Sequence, residues 1–345
     1  MQSLDLKELK KQLTNANIVI VTHMSPDGDA VGSSLAIYHY LQKLGNNVTV
    51  IVPDAYPANF KFLSGSDKIL NFACSNDKAL CLERIKKANI IFCLDFNEFK
   101  RLGKELGDII IDCKQDKKFI VIDHHLLPKN DSLKEIFDYY FINSKACSTA
   151  ILTYEFIYIM DDAELIDQTI AYCIYTGIIT DTNNLTTSNV TTVVYRVIAD
   201  LVDYDININN VYNNIYEYSI NKLKLLGDCL KNKIRYFPDL NIAIVSINKS
   251  DFIKYNIQSG DTDGIINYAL LLKGVNLAIS LIERNSLVKM SFRSKNNVSA
   301  SDFAKEYFAG GGHFNAAGGI SKLSMEDTFK KVINVVTLHN KKTSN

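Results

Sequence analysis

Four groups of acidic and imidazole side chains stand out, three of them at the ends of short apolar runs. His23, Asp27 and Asp29 lie in THMSPDGDA, and Asp95 in CLDFNEFKRLG. Asp123, His124 and His125 are consecutive, and Asp181 closes GIITD after a helical stretch. Carboxylates and imidazoles without thiolates suit a divalent first-row metal, and favour Mn²⁺ over a structural Zn²⁺. Two ions about 3.5–4 Å apart need a bridging carboxylate and ligands on both sides, which this set can supply. Such a pair acidifies a bridging water, aims it in line and neutralises phosphate oxygens, the chemistry of phosphoester hydrolysis. Taken singly, Asp27-Gly28 reads equally well as a turn, Asp29 as a helix N-cap, and Asp95 as a cap or turn residue. Adjacent histidines at the end of a buried run have no evident packing use. Of the 6 histidines, only His39 and His339 fall outside motifs. The joint pattern carries the reading.

These groups need elements to hold them. Asn17–Thr22, Asn47–Val52, Asn89–Leu94 and Lys118–Ile122 are β-branched, bounded by polar residues and too short for helices, so they read as buried strands. Ala30–Leu44 and Asn76–Ala88 carry helical periodicity between them, with Gly45 at a C-cap. Alternating strands and helices imply a parallel sheet, whose ligands bind at the carboxyl ends of the strands. Thr149–Thr180 reads as buried helix, and Val190 to about Leu230 as more polar helices. Asn241–Ile247, Gly274–Ile282 and Leu287–Phe292 then read as strands. Helical patterns at Thr262–Leu272, Ala300–Phe308 and Met325–Val336 surround them.

Composition narrows the classes. With 345 residues, 47% apolar and 22% charged, the chain has room for two globular domains. Lys+Arg and Asp+Glu are equal at 38 each, which argues against a protein that coats long duplexes. No apolar run approaches the roughly 20 residues that span a bilayer, so no membrane is expected. The opening MQSLDLKELKKQLTNA is an amphipathic helix and not a signal peptide. The 7 cysteines never form a CxxC pair, which points to reduced thiols in a cytoplasmic protein and not to a thiolate metal cluster. The Asn, Ile, Lys and Tyr richness and the lack of Trp fit AT-rich codon usage better than a stacking function.

HMSPDGDA, LDFNEFKR, DHH and GIITDT, in that order, resemble the four motifs of the DHH phosphoesterase superfamily. GGGHFNAAGG at Gly310–Gly319, with FRSKNNVSASDFAKEYF before it, resembles the family's DHH-associated C-terminal domain, so the likeness spans essentially the whole chain. The nanoRNase branch, comprising oligoribonucleases and phosphatases of 3′-phosphoadenosine 5′-phosphate, is the most similar. The resemblance implies an α/β protein in which a parallel-sheet N-terminal domain (1–189) is joined by a helical linker (190–231) to a smaller α/β C-terminal domain (232–345), with the active-site cleft between them. It further implies a two-metal phosphoesterase holding two Mn²⁺ ions, with Mg²⁺ or Co²⁺ as substitutes. His23, Asp27 and Asp95 would hold one ion; Asp29, Asp95, His124 and Asp181 the other, Asp95 bridging. His125 would stand near the scissile phosphate or the leaving oxygen. Arg293, Ser294 and His313, with the backbone of Gly311 and Gly312, would grip a substrate phosphate. Independently, a Gly-rich loop turns backbone N–H groups to an anion and Arg offers a bidentate fork. Arg101 either contacts substrate or caps the local helix. The family usually carries Gly two residues after the last aspartate, where this chain has Asn183, the non-Gly residue that best tolerates positive φ.

The function so implied is hydrolysis of short oligoribonucleotides to mononucleotides, as an exoribonuclease, together with dephosphorylation of 3′-phosphoadenosine 5′-phosphate. A phosphodiesterase for cyclic dinucleotides or linear pApA-type dinucleotides is the alternative. Expected partners are short RNA and nucleotide phosphates; a homodimer stays open. An inorganic pyrophosphatase or polyphosphatase fits less well, because that branch carries a different basic motif where GGGH stands. A non-catalytic nucleotide sensor would be expected to lack some metal ligands, and none is missing.

Overall fold

The computed structural model describes residues 6–126, 136–258 and 260–343. The chain divides into two compact units, Met1–Glu217 and Tyr218–Asn345. The first contains α1 (Leu6–Gln12), β1 (Asn17–Thr22), α2 (Gly28–Lys43), β2 (Asn47–Val52), β3 (Leu70–Asn71), α3 (Ser75–Lys87) and β4 (Ile90–Leu94). It continues with α4 (Lys104–Asp112), β5 (Lys118–Asp123), β6 (Tyr139–Ile142), α5 (Thr149–Ile159), α6 (Gln168–Asp181), α7 (Thr192–Val202) and α8 (Ile208–Tyr216). All six strands pair in parallel in the order β3-β2-β1-β4-β5-β6.

The strand residues alternate between two cores, as the twofold period of a strand requires. Ile18, Ile20, Phe92, Leu94, Ile120 and Ile122 face a cluster shared with α2 and α5–α8. Val19, Val21, Ile91, Cys93, Phe119 and Val121 face a second cluster with Cys81, Ile85, Leu106 and Ile110 of α3 and α4. Each fully buried Ile, Val, Leu or Phe contributes about 1.5–3 kcal/mol relative to exposure. Both strand faces are therefore committed, which is why these runs are continuously apolar. From β1 the chain passes to α2 on one face, and from its neighbour β4 to α4 on the other. Such a divergence opens a crevice at the carboxyl ends of the two strands.

The second unit comprises α9 (Ile220–Asp228), β7 (Ile234–Phe237), β8 (Ile242–Ile247), α10 (Lys249–Lys254), α11 (Ile265–Leu270), β9 (Leu277–Glu283) and β10 (Val288–Ser294). After these come α12 (Ala300–Tyr307), β11 (Gly311–His313), β12 (Ala316–Ser321) and α13 (Met325–Thr343). Its sheet runs β11-β12-β10-β9-β8-β7, with only β8 and β9 parallel. Phe292, Phe303, Phe308, Val332 and Val336 close one of its cores.

Several expectations change. The stretch read as one helical region, Thr149–Thr180, is two helices, interrupted at Asp161, which adopts φ +55°. The segment read as a separate linker divides between the units. Val194, Val197, Leu201 and Val211 join the first unit's core, whereas Leu225 and Cys229 join the second's. These buried residues pack within their own unit, while Val193, Tyr195, Tyr212, Ile220 and Leu223 of the same segment are exposed. Among the described residues no helix is long and apolar enough to cross a membrane.

Candidate metal centre

The first unit gathers His23, Asp27, Asp29, Asp95, Asp123, His124, His125 and Asp181 around the carboxyl ends of β1, β4 and β5. Asp27, not Asp29, is the N-cap of α2: its Oδ1 accepts from the backbone N–H groups of Asp29 and Ala30, each at 3.1 Å. Asp29 lies in the first turn instead and is 1% exposed. Its Oδ2 accepts from Thr149 N–H at 2.6 Å and its Oδ1 from Ala150 N–H at 2.8 Å. Two donors at the start of α5 therefore hold this buried carboxylate in place.

Asp95 leaves β4 with φ +65°, a backbone state that costs a non-glycine residue on the order of 1–3 kcal/mol and clusters at functional sites. Its two oxygens face different partners. Oδ2 is 3.1 Å from His23 Nε2, while Oδ1 is 3.5 Å from His124 Nε2 and 3.6 Å from His125 Nδ1. His124 Nε2 also lies 3.8 Å from Asp29 Oδ2 and 3.5 Å from Asp181 Oδ2. His125 Nδ1 donates to Asp123 Oδ1 at 2.7 Å. Three groups result in which one ligand atom from each residue lies within 4.8 Å of the others: His23–Asp27–Asp95, Asp29–His124–Asp181 and Asp95–His124–His125.

The electrostatics are those of a site short of positive charge. Burial, then the charges of Asp95 and Asp181, push Asp29 well above the ordinary carboxylate range. Burial pushes Asp181 up to about 7 against the pull of His124, with Asp27 and Asp95 adding to the rise. Burial opposes charging of His23, yet the hydrogen bond and charge of Asp95 prevail and bring its pKa to about 9. His124 likewise rises, the charges of Asp181 and Asp95 outweighing its burial. Asp95 is held far below the usual carboxylate range: burial is outweighed by His23, with His125 and His124 assisting. The upward shifts of Asp29 and Asp181 and of the His23 and His124 imidazoles share one contributing cause, crowded negative charge, which a divalent cation would offset. Two buried oxygens at the same strand ends, Thr22 Oγ1 and Asp123 Oδ2, have no hydrogen-bond partner among the described residues. The donor set fits a divalent metal.

Asp181 reaches the group because α2 and α6 cross closely. A Cβ on Gly32 would stand 2.5 Å from the Cys173 carbonyl oxygen. On Gly177 it would stand 2.5 Å from Ala150 Cβ and 2.9 Å from Asp29 Oδ1. Asp181 is the last residue of α6, and Asn183 beyond it takes φ +46°. This is the left-handed state that asparagine tolerates best among non-glycine residues. Sequence reading missed Gly32, Gly177, Ser148 and Thr149. Glycines inside helical patterns were the available signal for the first two.

Arg101 is neither a helix cap nor directed away from the site. It lies in a 3₁₀ turn, its carbonyl accepts from Met24 N–H at 2.7 Å, and its Nη1 donates to the Asp95 carbonyl at 3.5 Å. In the second unit Arg293 Nη1 donates to the Phe292 carbonyl at 3.0 Å. Ser294 is buried, its N–H donating to Asn315 O at 3.0 Å and its hydroxyl to Phe314 O at 3.4 Å. The glycine run expected as an open loop is instead strand β11, paired antiparallel with β12. Close backbone packing accounts for Gly310 and Gly312. A Cβ on Gly310 would lie 2.0 Å from Gly318 O, and one on Gly312 2.4 Å from Ala316 O. His313 ends that strand, and its side chain lies outside the described part of the structure.

The fold and these motifs agree with comparison to known proteins. Residues 17–178 match the DHH family N-terminal domain and residues 240–337 the DHHA1 domain. The chain belongs to the DHH family. It is 27% identical over 322 residues to the bifunctional oligoribonuclease and PAP phosphatase NrnA of Thermus thermophilus, across 92% of this chain and 89% of that protein. An exopolyphosphatase-related protein from Bacteroides fragilis has the same fold at a TM-score of 0.91 and 33% identity, over 99% of this chain and 97% of that one. The fold is also that of Thermus thermophilus RecJ solved with Mn²⁺, at a TM-score of 0.51 and 10% identity, over 98% of this chain and 55% of RecJ.

Proposed function

We propose that the protein is a two-metal phosphoesterase that hydrolyses short oligoribonucleotides to mononucleotides and removes a phosphate from 3′-phosphoadenosine 5′-phosphate. The observation that carries this reading is Asp95, whose two carboxylate oxygens each face a different group of candidate ligands. We assign His23, Asp27 and Asp95 to one Mn²⁺, and Asp29, Asp95, His124 and Asp181 to the other. Imidazole donors favour Mn²⁺ over Mg²⁺, and Co²⁺ suits the same set. Bound there, the ions supply Lewis acidity towards phosphate oxygens and an acidified water. The NrnA and RecJ likenesses support that chemistry.

The chain's own groups then divide the work. Asp123 fixes the ring of His125 through Nδ1, leaving Nε2 as the nitrogen suited to pass a proton to the departing oxygen. Arg101, beside Asp95, adds positive charge at the edge of the site. Arg293, Ser294 and the Gly311–His313 strand hold a second phosphate of the substrate, so that a fragment of a few nucleotides is better served than a long chain. The seven free cysteines suit a reducing cytoplasm.

A side-by-side assay with Mn²⁺ on pApA, 3′-phosphoadenosine 5′-phosphate, cyclic di-AMP and inorganic polyphosphate tests the reading. Turnover of the first two well above the others is expected. Preference for cyclic di-AMP would replace it with a cyclic-dinucleotide phosphodiesterase, and preference for polyphosphate would remove nucleotides as the substrate.

A further inference from the structure

We infer that Thr149 is a positioning residue that fixes the spacing between Asp29 and Asp95, and thereby the affinity for the second ion. The inference rests on the two-ion reading above. Thr149 is the first residue of α5 and is fully buried. It places two donors on two different carboxylates. Its backbone N–H donates to Asp29 Oδ2 at 2.6 Å, and its hydroxyl donates to Asp95 Oδ1 at 2.9 Å. Those two oxygens are the ones that face His124 Nε2, at 3.8 and 3.5 Å. One residue therefore sets the separation of two ligands assigned to the same ion.

The neighbours free Thr149 for this task. Ser148 caps α5 by accepting from Ile151 N–H at 3.1 Å, and Ala150 N–H goes to the other oxygen of Asp29 at 2.8 Å. All three leading N–H groups of the helix are thus used, two of them on a carboxylate from α2. Threonine is unusual among small residues in offering a hydroxyl beside a methyl that fills the buried corner. Groups that orient metal ligands typically govern affinity or activity by about 10- to 100-fold.

Thr149→Val keeps the shape and the backbone donor but removes the hydroxyl; Thr149→Ser keeps the hydroxyl. Calorimetric titration with Mn²⁺ on both variants and the wild type, alongside thermal melts, reads the effect without catalysis. Thr149→Val is expected to bind the second Mn²⁺ on the order of 10- to 100-fold more weakly, with the first little changed. Thr149→Ser is expected to recover most of the loss. Wild-type affinity for both ions in Thr149→Val overturns the inference, as does a loss that Thr149→Ser shares in full. A wild type that takes up two Mn²⁺ yet cleaves no short RNA sinks the substrate reading and leaves the comparison of affinities standing.

Discussion

Asp95→Ala is expected to abolish Mn²⁺-dependent hydrolysis and to leave the protein unable to retain a pair of ions. Among the described residues Asp95 is the side chain shared by the His23–Asp27 group and the His124–His125 group, with Oδ2 on the His23 side and Oδ1 on the His124 side. Removing it takes one donor from each ion and unbalances the imidazoles that Asp95 draws towards their charged form. Metal ions supply several kcal/mol of transition-state charge stabilisation. At about 1.36 kcal/mol per decade, the loss is on the order of 10³-fold or more in kcat. Asp95→Asn is the more informative companion, because asparagine tolerates the φ of +65° and nearly matches the carboxylate in shape. Metal analysis and kinetics on both variants decide the matter. Two retained ions and near-normal turnover would show that the bridging assignment is wrong.

His125→Ala is expected to lower kcat by roughly 10²–10⁴ while leaving the metal content intact, the size of effect typical of a lost general acid. The ring is held by Asp123 through Nδ1 at 2.7 Å, stacked edge-on against His124 with ring centroids 4.8 Å apart. Such restraint suits a group that must present a proton in one direction. The geometry also offers a rival: a ring nitrogen of His125 lies within 4.8 Å of ligand atoms of Asp95 and His124. Metal analysis separates the two roles, since a ligand takes an ion with it when removed. Loss of one Mn²⁺ in this variant would make His125 a ligand.

Much of this arrangement is legible before any coordinates. The four central strands declare themselves because both faces are buried, so no polar residue interrupts NIVIVT or IIFCL. The acids and histidines follow those runs directly, and a parallel sheet delivers strand ends to one edge. The shorter strands are hidden for physical reasons. β12, with the sequence AAGGIS, lacks any β-branched pattern beyond Ile320, and at Gly319 Phe292 and Phe308 leave little room for a side chain. β3 has only two residues. Glycines at 310–312 suggest an anion loop, and packing against β12 separately requires two of them, Gly310 and Gly312, whereas Gly311 meets no such crowding. Thr149 and Gly177 were invisible as site residues because their contribution exists only after α2, α5 and α6 have packed. A threonine followed by AILTYEFIYI looks like any buried helix start until its hydroxyl is seen on Asp95.

The most direct test of the central claim is a length ladder of 5′-labelled RNA, from two to about two dozen nucleotides, incubated with the purified chain in Mn²⁺ and again in excess chelator. Two to a few nucleotides should disappear fastest, yielding mononucleotides, with longer chains slower and all turnover lost in chelator. Cleavage that persists without divalent metal, or that favours the longest chains over the dinucleotide, would contradict a two-metal enzyme built for short RNA.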